Sequence, residues 1–219
     1  MVIDWSAVKA VKIPEGDCKR VAINGTIVWE KGGLPSEYQQ VEYIESTGTQ
    51  YINTGVIGKT GLRIVAEMGY ATPGLGLFGC RYVNTRFFVV LWPSPYFDFG
   101  YGGDIATGIK VENRKIYNID FDTSTHPKRF GIDGVYKTSS EHHDAPVSIY
   151  IFCYNFNKPT SFSKSIFKSM TIADENGELL RNFVPCYRES DGEIGVYDLV
   201  NGVFYTNSGS GTFIKGEDV

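Results

Sequence analysis

Apolar and polar positions alternate along much of this chain with the two-residue period of a half-buried strand. The runs that read as strands are "QYINTGV", "GLRIVAEMGY", "TRFFVVLW", "KIYNIDFD", "PVSIYIFCYN" and "SKSIFKSMTIAD". Their β-branched and aromatic content favours strand over helix, even in "SIFKSMTI". No period near 3.6 is sustained, and a short turn of helix is expected only around "SEYQQVEYI". Many short strands separated by turn residues predict an all-β sandwich or barrel.

Three dipeptides predict hairpins, because Asn or Asp followed by Gly supplies the positive φ that a type I′ turn needs at both central residues. Asn24-Gly25 would close Val21–Ile23 on Thr26–Trp29, and Asp133-Gly134 would close Phe130–Ile132 on Val135–Lys137. In "EIGVYDLVNGVFYTNSGSGTF", residues 193–213, a two-residue loop at Asn201-Gly202 would set Val200 opposite Val203 and Tyr197 opposite Thr206. Tyr197, Leu199 and Phe204 then share one face, and Val196, Val200, Val203 and Tyr205 the other. Both faces are apolar, so this pair should be covered on both sides. Asp198 falls among apolar neighbours and needs a partner, either a backbone N–H or the Tyr205 hydroxyl. A boundary falls at "EKGGLPSEY", where Gly32-Gly33 is followed by Leu34-Pro35. Residues 1–32 are too few for a core of their own, so they read as a hairpin appendage to a domain over 34–219.

Composition sharpens this picture. The chain has 219 residues, 14 Tyr, 14 Phe and 25 Gly, which favours strands and tight turns. A formal net charge of -4 argues against nucleic-acid binding. The basic pairs Lys19-Arg20 and Lys128-Arg129 read as solvated strand edges. Cys18, Cys80, Cys153 and Cys186 are widely spaced, without a C-x-x-C, and read as buried free thiols. The start "MVIDWSAVKAVKIPEG" lacks the basic residues and apolar run of a signal peptide, and no window approaches a membrane span.

"LPSEYQQVEYIESTGTQYINTG" at 34–55 resembles the opening strand of the laminin-G/concanavalin A-like domains found in phage and prophage tail and baseplate proteins of Gram-positive and gut bacteria. The pattern G-x-Y-D-x-V then F-Y-x-N-x-G-x-G-x-F, within "LLRNFVPCYRESDGEIGVYDLVNGVFYTNSGSGTF" at 179–213, is similar to their closing segment. "RFGIDGVYKT" is similar to the mid-domain hairpin, and "VKAVKIPEGDCKRVAINGTIVWEK" to hairpin modules that precede such domains. The resemblance implies a jelly-roll sandwich whose first and last strands pair near the middle of a sheet. It implies a virion protein, attached to other virion proteins by residues 1–32 and contacting a cell-surface polysaccharide through residues 34–219. Repeated weak sites gain avidity, so a homotrimer or larger assembly is expected. The rival readings are a structural or decorating module making protein contacts only, and a glycan depolymerase.

Candidate chemistry favours binding over catalysis. Asp120-x-Asp122 in "YNIDFDTST" puts two carboxylates on one face, but the next same-face positions, Ser124 and His126, supply no third acid, and Asp122 is placed to cap a turn. Glu42 and Glu45 point to opposite faces. "EHHD" at 141–144 reads as a solvated loop ahead of Ala145-Pro146. No cofactor is expected: relatives of this kind sometimes carry calcium, but no D-x-D-x-D-G loop is present. The most unusual stretch is "CRYVNTRFFVVLWPSPYFDFGYGGD". Sugars are held by an aromatic against their apolar face plus planar hydrogen-bonding groups. Trp92, Tyr96 and Tyr101 are candidates for the first role, with a core role as the alternative, and Arg81, Asn84, Arg86 and Asp104 for the second. Phe97 and Phe99 are assigned to the core.

Overall fold

The computed structural model describes residues 33–72, 74–91 and 95–219, together with the strand backbone of Lys12–Ile13, Gly16–Asp17, Arg20–Ile23 and Thr26–Glu30. Among these residues there is no helix. Two sheets face each other. The first runs Gly103–Lys110, Tyr96–Tyr101, Thr85–Leu91, Gly76–Tyr82, Ala145–Ile151, Ile52–Gly58. The second runs Val135–Ser139, Lys128–Ile132, Tyr117–Asp122, Arg63–Thr72, Lys164–Ala173, Leu179–Arg188, Ile194–Asp198, Val203–Thr206. Pairing along both orders is antiparallel.

Alternation decides what lies between the sheets. In Ile52–Gly58 every second residue is buried, and in Thr85–Leu91 the residues Phe87, Val89 and Leu91 belong to the core. Aromatic rings interlock across the gap: Phe87 and Phe121 are 4.7 Å apart, Phe97 and Tyr117 4.8 Å, and Phe99 and Phe130 5.6 Å. Phe97 and Phe99 are fully buried, as assigned from sequence.

Each predicted strand run contains a strand. Ile132 pairs with Val135, and the intervening Asp133 and Gly134 have φ of 48° and 80°, the geometry of a type I′ turn. Ile23 pairs with Thr26, as a two-residue loop requires, while the loop residues Asn24 and Gly25 lie outside the described residues.

Two expectations are corrected. The closing hairpin has a four-residue loop, because Asp198 pairs with Val203 and Tyr197 with Phe204. The shift is two residues, so the side chains keep their predicted faces. Asp198 causes it: its carboxylate accepts the Val200 N–H at 3.1 Å and its carbonyl accepts the Gly202 N–H at 2.8 Å, folding residues 199–202 into the turn. Val203–Thr206 is also the edge strand of its sheet, not a central one, and Val203 is exposed; it is the last strand, Ile214–Lys215, that pairs with the early strand Ile44–Glu45 beside Lys164–Ala173. The second correction concerns "SEYQQVEYI", which forms the short strands Tyr38–Gln40 and Ile44–Glu45. Pairing to Leu179–Arg188 and to Lys164–Ala173 outweighs the weak local preference for helix.

Candidate functional site

The outer face of the first sheet carries a groove of about 340 Å³ lined by Phe88, Val90, Tyr154, Arg81, Arg86 and Asp104, among others. It exists because of one transverse row. Reading across the strands, the residues directly opposite one another are Asp104, Gly100, Phe88, Gly79, Tyr150 and Asn53. Residues in register share a face. Phe88 therefore has a glycine on each side. A Cβ on Gly100 would run into the Phe88 ring, and one on Gly79 into the Phe88 Cβ and backbone. The ring lies down in the space that Gly100 leaves, and Gly79 gives the close approach to the Phe88 backbone. Tyr154 stacks on it with ring centroids 5.0 Å apart and planes at 24°.

Tyr154 comes from a segment that folds back after Ile151 and walls the groove. Asn155 makes a parallel bridge to Cys80, and the Gly76 N–H donates to the Ser161 carbonyl at 2.9 Å. Ser163 Oγ lies 2.6 Å from the Gly76 carbonyl. Phe152, Asn157 and Ser161 all have positive φ, at 73°, 57° and 57°. Left-handed backbone at a Phe is costly and persists only where surrounding contacts impose it.

The polar end of the groove is built from three strands. Arg81 and Arg86 are direct cross-strand partners. Arg86 forms an ion pair with Asp104 that passes across the intervening strand. Asp98 pairs with Ala106, which sets it diagonal to Asp104 on the same face; burial, and then the nearby Asp104 charge, push its carboxyl up. Arg81 Nε donates to the Val83 carbonyl at 3.2 Å, and its guanidinium lies 5.1 Å from the centre of the Phe156 ring.

The sequence candidates divide accordingly. Arg81, Arg86 and Asp104 are brought together in the groove. Asn84 sits in the exposed turn beside Val83, and Tyr96 is exposed, but neither lines the groove. Tyr101 is corrected: it is buried, with its ring 5.3 Å from Phe130 and its hydroxyl 2.7 Å from Thr60 Oγ1. Strand alternation turns it inward with Phe97 and Phe99. Trp92 lies outside the described residues. Sequence reasoning missed Phe88 and Tyr154. The available signal was glycine in "LFGC" and "FDFG", but only the strand pairing shows that both glycines flank Phe88.

The other candidate clusters are engaged elsewhere. Asp120 accepts from Arg63 Nε and Nη2 at 3.0 and 3.1 Å, and Asp122 Oδ1 accepts from the Ser124 N–H at 2.9 Å, the predicted cap. Residues 141–144 form the expected loop, in which His142 faces Asp144 at 3.5 Å and His143 faces Glu141 at 3.4 Å. Among the described residues no group of three or more His, Cys, Asp or Glu is placed to hold a metal.

No family model matches the sequence, and no curated protein matches it. Among solved structures the chain is similar to a Bacteroides ovatus protein described as "a putative carbohydrate binding protein", at 11% identity and a TM-score of 0.55. The match covers 82% of this chain and 62% of the other, so this chain spans less than two thirds of that protein's length. At that identity the likeness carries the fold, and the fold is an all-β sandwich.

Proposed function

We propose that this protein is a lectin-like binding module that takes a sugar of a cell-surface polysaccharide in the outer-face groove, without cleaving it. The observation that carries this reading is the meeting of a stacked aromatic pair, Phe88 and Tyr154, with Arg81, Arg86 and Asp104 in one groove. A pyranose offers an apolar face and a rim of hydroxyls, and such a wall with convergent planar polar groups suits both. The described function of the Bacteroides ovatus neighbour supports the same ligand class. A non-catalytic role is supported by the acids: Asp120 is held by Arg63, Asp122 caps a turn and Asp104 is paired with Arg86. The resemblance of residues 34–55 and 179–213 to phage tail and baseplate domains motivates a virion setting. There, residues 1–32 attach the module to other virion proteins, and several copies act together.

Binding of labelled protein to intact bacterial cells, with purified wall polysaccharide as competitor, tests the reading. Saturable binding that the polysaccharide removes is expected, and Tyr154→Ala should weaken it about tenfold, on the order of 1.4 kcal/mol, with the melting temperature little changed. Absence of binding, even from a deliberately multimerised form, would leave the structural-module reading in its place. Release of reducing sugar from the polysaccharide would overturn the non-catalytic assignment.

A further inference from the structure

We infer that the sugar taken by this groove carries an anionic group, a carboxylate or a phosphate, and that Arg81 is the residue that reads it; this rests on the carbohydrate-binding proposal above. Arg81 and Arg86 stand directly opposite each other on neighbouring strands, on one face, lining one groove. Like charges in that position repel. Of the two, only Arg86 has a carboxylate within ion-pair distance among the described residues, that of Asp104. Asp98 lies on the same face but forms no ion pair with either arginine among the described residues.

Arg81 is held in place from one side only. Its Nε is anchored on the Val83 carbonyl and its guanidinium carbon lies 5.1 Å from the centre of the Phe156 ring, at the tip of the segment that walls the groove. Its two Nη atoms have no hydrogen-bond partner among the described residues. A guanidinium fixed through Nε presents its remaining donors as a fork, which matches the paired oxygens of a carboxylate or phosphate. The anchor itself is unusual. Val83 has a φ of 51°, where a β-branched residue is strained. Asn or Gly would make this two-residue turn at lower cost. The strained carbonyl fixes Arg81, and outliers of this kind concentrate at binding sites. The chain as a whole is acidic, so overall charge supplies no attraction for an anion; Arg81, whose neighbour Arg86 is already paired with Asp104, does.

The test is calorimetric titration of the full chain with a polyuronate, a phosphodiester-linked polyol polymer and a neutral glucan, at low and high salt. One of the two anionic polymers is expected to bind at least tenfold more tightly than the glucan, weakening as salt rises, and which one distinguishes carboxylate from phosphate. Arg81→Gln should abolish that preference, so that the anionic polymer binds no more tightly than the glucan and salt no longer matters, and Arg81→Lys should restore part of it. If Arg81→Gln fails to fold, the salt dependence and polymer preference of the unaltered protein decide. Equal affinity for the neutral polymer, insensitive to salt and to Arg81→Gln, overturns the anion inference and leaves carbohydrate binding standing. No binding to these or to a wider polysaccharide panel overturns both.

Discussion

Asp198 holds together the end of the sandwich where both sheets present an edge. It is completely buried, and its two oxygens accept from the Asn182 and Val200 N–H groups and from the Asn201 side-chain amide at 2.7 Å. Arg181 Nε lies 3.6 Å from the same carboxylate and donates at 3.0 Å to the Thr54 carbonyl of the opposite sheet. The link thus joins the closing hairpin to the edge strand Ile52–Gly58. Removing the carboxylate leaves the Asn182 and Val200 N–H groups and the Asn201 amide without their acceptor and costs about 1–3 kcal/mol. Asp198→Ala is therefore expected to lower the urea midpoint of unfolding by a corresponding amount, whereas a change confined to the exposed Val203 should cost far less. A loss for Asp198→Ala no larger than that of a surface substitution would refute this role. That Asp198 needed a partner is legible in the sequence, since a carboxylate among Val, Tyr and Leu demands one. Which groups supply it is not legible, because Arg181 and Asn182 reach it only through the pairing of Leu179–Arg188 with Ile194–Asp198.

At the scale of elements, hairpins are the most legible feature and glycine-bearing strands the least. Asp133-Gly134 specifies its own turn, and so the strands beside it. Gly76–Tyr82, Tyr96–Tyr101 and Gly103–Lys110 do not stand out as strands, because glycine weakens a strand locally and is tolerated only when neighbours supply the hydrogen bonds. Here the glycines make the groove. Gly100→Ala should force the Phe88 ring off its bed, costing about 1–3 kcal/mol of stability as overpacking does, and should weaken polysaccharide binding in the cell assay. Gly103→Ala, where a Cβ meets nothing within 4 Å, is the control and should leave both unchanged. A Gly100→Ala protein as stable and as competent as the control would mean that Phe88 does not rest on this row.

At the scale of the whole molecule, the buried thiols report on the integrity of the sandwich. Burial pushes Cys80, Cys153 and Cys186 up to about 12, outweighing the smaller lowering effect of a backbone hydrogen bond at each. In the unfolded chain these thiols ionise near their ordinary value. From there up to about 12 the native state holds more protons than the unfolded state, so stability falls as pH rises across that window and is fully retained below it. Chemical denaturation at pH 8 and pH 10 should show the lower stability at the higher pH, with Cys→Ser or Cys→Ala variants flattening the difference. At pH 8 the three thiols should react with a thiol reagent only as fast as the protein opens. Rapid stoichiometric labelling of the native protein would contradict their burial. Cys18 lies outside the described residues, so a variant lacking it is the proper starting point.

By itself the sequence determined the class of fold, the strands with strong alternation, the Asp133-Gly134 turn and the inward placement of Phe97 and Phe99. These follow from interactions within a few residues: side-chain period, β-branching, and the φ that Asp-Gly allows. It also singled out Arg81, Arg86 and Asp104 as sugar-binding candidates. Only the tertiary structure decided that these three meet, that Tyr101 is core, that Val203–Thr206 is an edge, and that Phe88 lies between Gly79 and Gly100. Each of these depends on which strands become neighbours and in what register, and register is set by pairing between segments far apart in the chain.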